Sequence, residues 1–100
     1  MGKEEVIKKL VLYKSLVSEH LDVDKVILFG SYARGEAGDE SDIDVAIVVN
    51  SVKGDFFSYA PLLWKLRKQI DERIEPVLLI NGKDISGFLQ EILKTGTIIT

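Results

Sequence analysis

Apolar residues Val6, Leu10, Tyr13, Val17 and Leu21 recur at spacings of four, three, four and four, so residues 4–21 predict a helix with one apolar face. The polar run 22–25 ends it. Residues 26–29 form a short β-prone stretch that stops at Gly30, and residues 43–49 form a longer one rich in Val and Ile, the composition of a buried strand. A polar loop, residues 31–41 with Gly35 and Gly38, lies between them. After a turn over residues 50–54, Phe56, Tyr59, Leu63, Leu66 and Ile70 restore the helical period. Pro61 falls inside that second helix, which either begins near Ala60, with the proline in its first turn, or kinks there. Residues 75–80 read as a third strand, Asn81 and Gly82 as a turn, and Ile85, Phe88, Leu89, Ile92 and Leu93 as a third helix capped by Gly96. Residues 97–100 are β-prone and add a short edge strand.

This order of elements, with no internal repeat and no low-complexity linker, predicts an α/β (α+β) layer structure: helices on a small mixed sheet of three to four strands. At 100 residues there is room for one core, so residues 1–100 are expected to form a single domain. A hydrophobic fraction of 46% with 29% charged residues lies within the ordinary globular mixture and outside the signature of disorder.

Charge and cysteine usage narrow the function classes. Thirteen basic residues against sixteen acidic ones give a net charge of -3, so long nucleic acid is a poor default partner, although a local basic pocket can hold a nucleotide. With no cysteine, disulfides, thiolate metal sites and a thiol nucleophile are excluded together. Lys8 and Lys9 break the apolar runs near the start, leaving neither a signal peptide nor a membrane span, and a cytoplasmic protein is expected.

The chemically informative text is FGSYARGEAGDESDIDVAIVV, residues 29–49. Asp42 and Asp44 are two apart at the edge of a strand, so their side chains share a face. Two neighbouring carboxylates repel unless a cation lies between them, and Mg²⁺, a hard oxygen-seeking ion often shared with phosphates, meets that need. Gly30 and Ser31 supply the other half: glycine lets the backbone turn and a phosphate approach, and serine offers a hydroxyl and an N–H. A short helix after Gly30 would aim its N-terminal N–H groups at the same point. Together the two features specify a nucleoside triphosphate with its metal. The competing reading is a polar hairpin loop with capping carboxylates.

Gly-Ser, ten residues, Asp-x-Asp is the signature of the polymerase-beta-like nucleotidyltransferases, and GSYARGEAGDESDIDVAIVV resembles the minimal nucleotidyltransferase family in particular. The closing ILKTGTIIT resembles the usual end of such domains. The resemblance implies that Asp42 and Asp44 hold the two metals that bridge ATP, with a third carboxylate on a neighbouring strand helping to deprotonate the attacking hydroxyl. Glu75 is the candidate, although the family more commonly has Asp there; its alternative role is a surface partner for Arg73, and Asp71 is a weaker rival. Pro76 beside it places that strand at an edge or a start. The implied reaction moves AMP to a hydroxyl acceptor, and the implied partner is a HEPN-domain toxin adenylylated on a tyrosine, which would make the chain an antitoxin. Two other readings stand beside it: a non-catalytic module that neutralises its partner by forming a complex, and a transferase acting on a nucleic-acid end or a small molecule.

Arg34 reaches either phosphate or the aspartates, or else pairs with Glu36 or Asp39 at the surface. Asp39, Glu40 and Ser41 read as loop and turn chemistry, with Ser41 as an alternative support for the Asp42 carboxylate. His20, the only histidine, reads as a helix C-terminal cap. Tyr59 and Trp64 read as core packing, with base stacking as the alternative. Apolar positions on the first or third helix leave a homodimer as an expectation for mass measurement in solution.

Overall fold

The computed structural model describes residues 2–38, 41–83 and 86–100, and in Phe56 the backbone alone. Helix α1 (Lys3–Ser18) leads into strand β1 (Val23–Leu28), a single helical turn α2 (Ser31–Arg34) and strand β2 (Ile43–Val49). A 3-10 turn (Phe56–Ser58), helix α3 (Tyr59–Leu66) and a second 3-10 turn (Arg67–Gln69) carry the chain to strand β3 (Ile74–Ile80). Helix α4 (Phe88–Thr95) and the short strand β4 (Thr97–Ile99) close it.

The four strands form one mixed sheet in the order β3-β2-β1-β4, with β1 antiparallel to both β2 and β4 and with β2 parallel to β3. A parallel pair needs a crossover, and α3 supplies it. Alternation along the strands divides the sheet into two faces. On one, Val26, Leu28, Val45, Ile47, Val49, Ile74 and Ile99 join Val6, Leu10, Tyr13 and Val17 of α1 and Leu63 and Leu66 of α3 in the main core. On the other, Ile27, Ala46 and Val48 lie under Leu89 and Ile92 of α4. Asp44 and Glu75, odd one out at each strand's start, belong by alternation to this second, α4-bearing face.

Several sequence expectations shift at their boundaries. The first helix stops at Ser18 although Leu21 keeps its period; Leu21 remains buried from the turn that follows. β1 starts at Val23, earlier than the apolar run, because Val23 pairs with Val49 across a bulge. α3 begins at Tyr59 with Pro61 in its first turn, where the missing N–H has no helical acceptor to lose. The last helix starts at Phe88, after a left-handed Gly87, and Ile85 lies outside the described residues. Gly96 does end that helix, but in an extended conformation with φ -90°. Glycine is required there for space: a Cβ would meet the Ile92 carbonyl at 2.6 Å and the Ile27 Cγ2 at 2.7 Å.

Polar contacts tie α1 to α3 and to the segment that leads into β3. The buried Tyr13 hydroxyl donates to the Leu63 carbonyl at 2.8 Å, joining α1 to α3, and burial holds it protonated. Asp71, before β3, accepts from Lys9 of α1 at 2.7 Å and from Arg73 at 2.9 Å. Arg73 first, and Lys9 with it, holds the Asp71 carboxyl well below the usual carboxylate range. A depressed folded pKa means stability that is present above the unfolded value and lost as pH falls towards the folded one. Asp71→Asn should therefore lower the urea midpoint at neutral pH, with the difference from wild type shrinking from about pH 4 downward. A pH-independent difference would contradict this.

Candidate active site

Two residues after β1 comes Gly30, whose φ of 74° and ψ of -150° are open only to glycine. That conformation turns the chain sharply into α2, and Ser31 becomes its first residue. The first N–H groups of a helix lack intrahelical partners, so those of Ser31 and Tyr32 are available to an anion. The Phe29 N–H donates to the Asp44 carbonyl at 3.0 Å, which fixes Gly30 beside the start of β2. The fit is close: a Cβ on Gly30 would overlap the Asp44 carboxylate oxygen Oδ2. The glycine-serine turn and the second aspartate of Asp-x-Asp thus share one corner.

The third carboxylate comes from β3. The parallel register sets Asp44 opposite Glu75, and Ile43, between Asp42 and Asp44, opposite Ile74. Burial, and then the charge of Asp42, raise the Asp44 carboxyl above its ordinary range, while Arg34 acts in the opposite sense. Glu75 is raised as well, first by burial, then by the charge of Asp42 and a hydrogen bond shared with it, and further by Asp44; Arg67 opposes this. Three acidic side chains from a loop end and two strands therefore sense one another in one place.

Among the described residues, no three acidic, histidine or cysteine side chains close into a ready-made metal cage. The donor chemistry nevertheless suits Mg²⁺, which keeps several waters and is bound by one or two carboxylates together with substrate phosphates. Acidic groups left mutually repelling, beside a glycine that clears space, fit an ion that arrives with its nucleotide.

Beside this cluster a cavity of about 530 Å³ is lined by Gly30, Ser31, Arg34 and Asp44 on one side and by Phe88, Glu91 and Thr95 on the other. Its size lies in the range of small-molecule sites. α4 is held against the sheet by the close approach at Gly96 and by Phe88, whose ring meets Phe29 edge-on at 5.5 Å between centroids.

A family model described as Polymerase beta, Nucleotidyltransferase matches residues 8–100. The chain belongs to the polymerase beta nucleotidyltransferase family. "Putative protein adenylyltransferase MJ0604" of Methanocaldococcus jannaschii is 35% identical over 102 residues, covering 99% of each chain. "Protein adenylyltransferase MntA" of Thermococcus cleftensis is 30% identical over 93% of this chain and 82% of its own. A solved toxin-antitoxin structure with AMP-PNP shares the fold, with a TM-score of 0.63 at 22% identity over 100% of this chain and 73% of that one.

Of the residues that the sequence nominated in this nucleotidyltransferase, Gly30, Ser31, Arg34 and Asp44 line one cavity, and Asp42 and Glu75 adjoin it through Asp44. Arg34 also pairs with Glu36 at 3.1 Å, both side chains being exposed; Asp39 and Glu40 lie outside the described residues. The Ser41 hydroxyl accepts from the Gly38 N–H at 2.8 Å, which is turn chemistry. Asp71, the weaker rival, is engaged by Arg73 and Lys9. His20 follows the end of α1, where its N–H caps the Val17 carbonyl, and with Tyr59 it lines a different cavity at the opposite end of β1. Tyr59 packs partly buried against the core and donates to the Lys53 carbonyl, whereas Trp64 is exposed rather than in the core and lies against Arg67; neither ring lines the nucleotidyltransferase cavity. Phe29, Phe88, Glu91 and Thr95 line it instead. On α4 their spacing of three and four reads as packing, which conceals a second role. No helix among the described residues is long and apolar enough to cross a membrane.

Proposed function

We propose that the chain transfers AMP from ATP to a hydroxyl of a partner protein, with Asp42, Asp44 and Glu75 as the catalytic carboxylates. The observation that carries the reading is the packing of the Asp44 carboxylate against Gly30, which joins an anion-binding turn to an acidic cluster. Gly30 leaves room for the triphosphate, Ser31 binds it through its N–H and hydroxyl, and Arg34 adds a positive charge at the rim. Asp42, Asp44 and Glu75 would hold two Mg²⁺ ions. Bound there, the ions would stabilise the entering and leaving oxygens of an in-line displacement. Glu75, whose carboxyl is raised by burial and by its acidic neighbours, accepts the proton of the attacking hydroxyl. The new bond joins the acceptor oxygen to the α-phosphorus, the bond from that phosphorus to the bridging oxygen breaks, and pyrophosphate leaves. The nucleoside lies along α4, with Phe88 as an apolar wall and Glu91 and Thr95 as polar contacts.

A partner protein supplies the acceptor hydroxyl in this reading. Names of relatives as protein adenylyltransferases, and the toxin-antitoxin assembly of a fold neighbour, support a toxin as that partner. The resemblance to minimal nucleotidyltransferases points further, to a tyrosine of a HEPN-domain protein. The test is intact mass spectrometry of a candidate HEPN-domain partner after co-expression, with labelled ATP and Mg²⁺ as the reconstituted form. One or more added AMP units on a tyrosine are expected. An unmodified but fully inhibited partner would favour neutralisation by complex formation, and label on a nucleic-acid end or small molecule would move the acceptor class.

A further inference from the structure

Strand β3 lies at the open edge of the sheet, so every second backbone group along it faces away from β2. The Arg73 carbonyl accepts from the Ile43 N–H at 2.8 Å and therefore faces β2. By alternation the Ile74 carbonyl faces outward, and Glu75 faces β2 again. The outward position is taken by Arg67, at the end of α3: its Nη1 donates to the Ile74 carbonyl at 3.0 Å and to the Glu72 carbonyl at 2.6 Å. The guanidinium is itself placed by Trp64, with its central carbon 4.3 Å from the ring centroid.

Packing alone does not explain this arginine. Its Nε is buried with no hydrogen-bond partner, a cost that an apolar side chain in the same place would avoid. What the guanidinium does supply is a fixed planar fork of donors, here applied to the two carbonyls that precede Glu75 by three residues and by one. We propose that Arg67, seated on Trp64, is the positioning residue for Glu75, setting where that carboxylate stands beside Asp44 by pinning the start of β3. Its positive charge also reaches Glu75, in opposition to the two aspartates. The inference rests on the reading of Glu75 as a metal-holding carboxylate, and it adds a residue from outside the cavity to that machinery.

The test compares Arg67→Met, Arg67→Lys and Glu75→Gln, singly and combined, in Mn²⁺ titrations followed by electron paramagnetic resonance and in steady-state transfer assays. Arg67→Met is expected to weaken Mn²⁺ binding about tenfold, the usual scale for groups that orient ligands. It should lower kcat by a similar factor and leave KM for ATP within about twofold, because Gly30 and Ser31 lie in the turn and helix that follow β1, away from β3. Arg67→Lys, which keeps the charge and an ammonium donor group but loses the planar guanidinium geometry, should recover part of the loss. In the Glu75→Gln background, Arg67→Met should cost nothing further, since two residues acting through one group are not additive. Should Arg67→Met fail to fold, the same cycle is run with Arg67→Lys, whose partial loss must likewise vanish beside Glu75→Gln. Unchanged Mn²⁺ affinity, or losses that add in the double variant, would overturn the role of Arg67 and leave the site reading standing. A wild-type chain that binds no Mn²⁺ even with a non-hydrolysable ATP analogue present would refute the site reading itself.

Discussion

Asp42→Ala combined with Asp44→Ala should reduce AMP transfer by roughly 10³-fold or more, the scale set by several kcal/mol of lost transition-state stabilisation. The same change should not weaken the fold. Burial and the Asp42 charge disfavour the ionised form of Asp44, so its charge opposes folding at neutral pH. Removing two like charges from one corner should leave the thermal midpoint, measured without divalent ions, at or above that of wild type. Opposite signs for activity and stability are what a site built from mutually repelling groups requires. The paired measurements are label transfer and calorimetry, with complex formation checked by mass in solution. Retained transfer would sink the catalytic reading. Retained protection by a variant that transfers nothing would establish the chain as a binding antitoxin.

The second large effect is at Gly30. Alanine there is strained by φ 74° and ψ -150°, at a cost of about 1–3 kcal/mol, and its methyl group also displaces the Asp44 carboxylate. A displacement of about 1 Å at a reacting site costs roughly 10²-fold in rate, so Gly30→Ala should lose both stability and most of its activity. Gly35→Ala separates the two contributions. Gly35 also has φ 74°, but a Cβ added to it would meet nothing within 4 Å. That variant should lose about 1 kcal/mol or slightly more of stability and keep its transfer rate. Equal activities in the two variants would show that the Gly30-Asp44 contact is incidental to the reaction.

How much of this was legible beforehand depended on the range of the interaction. The loop from Gly30 to Asp44 is local text bracketed by two hydrophobic strands, and its two halves meet because β1 and β2 pair as neighbours. The third carboxylate was harder, because what brings Glu75 to Asp44 is a register between strands joined by a helical crossover. Pro76 offered a local hint: alternation turns its missing N–H to the open edge, where no ladder bond is lost. Arg67 gave no such hint. A cation at a helix end reads as a solvated charge, and only the fold puts two outward carbonyls in front of it. The α4 wall was hidden for a related reason, since Phe88, Ile92 and Thr95 follow the spacing that any packed helix shows.

The same open edge has a consequence for how the protein behaves when concentrated. An exposed strand is normally a template on which another copy can add itself, and β3 runs for seven residues. Its outward donor is missing at Pro76 and two acceptors near its start are occupied by Arg67, while at the far side of the sheet β4 offers only three residues. Neither margin is suited to edge-to-edge growth into fibrils.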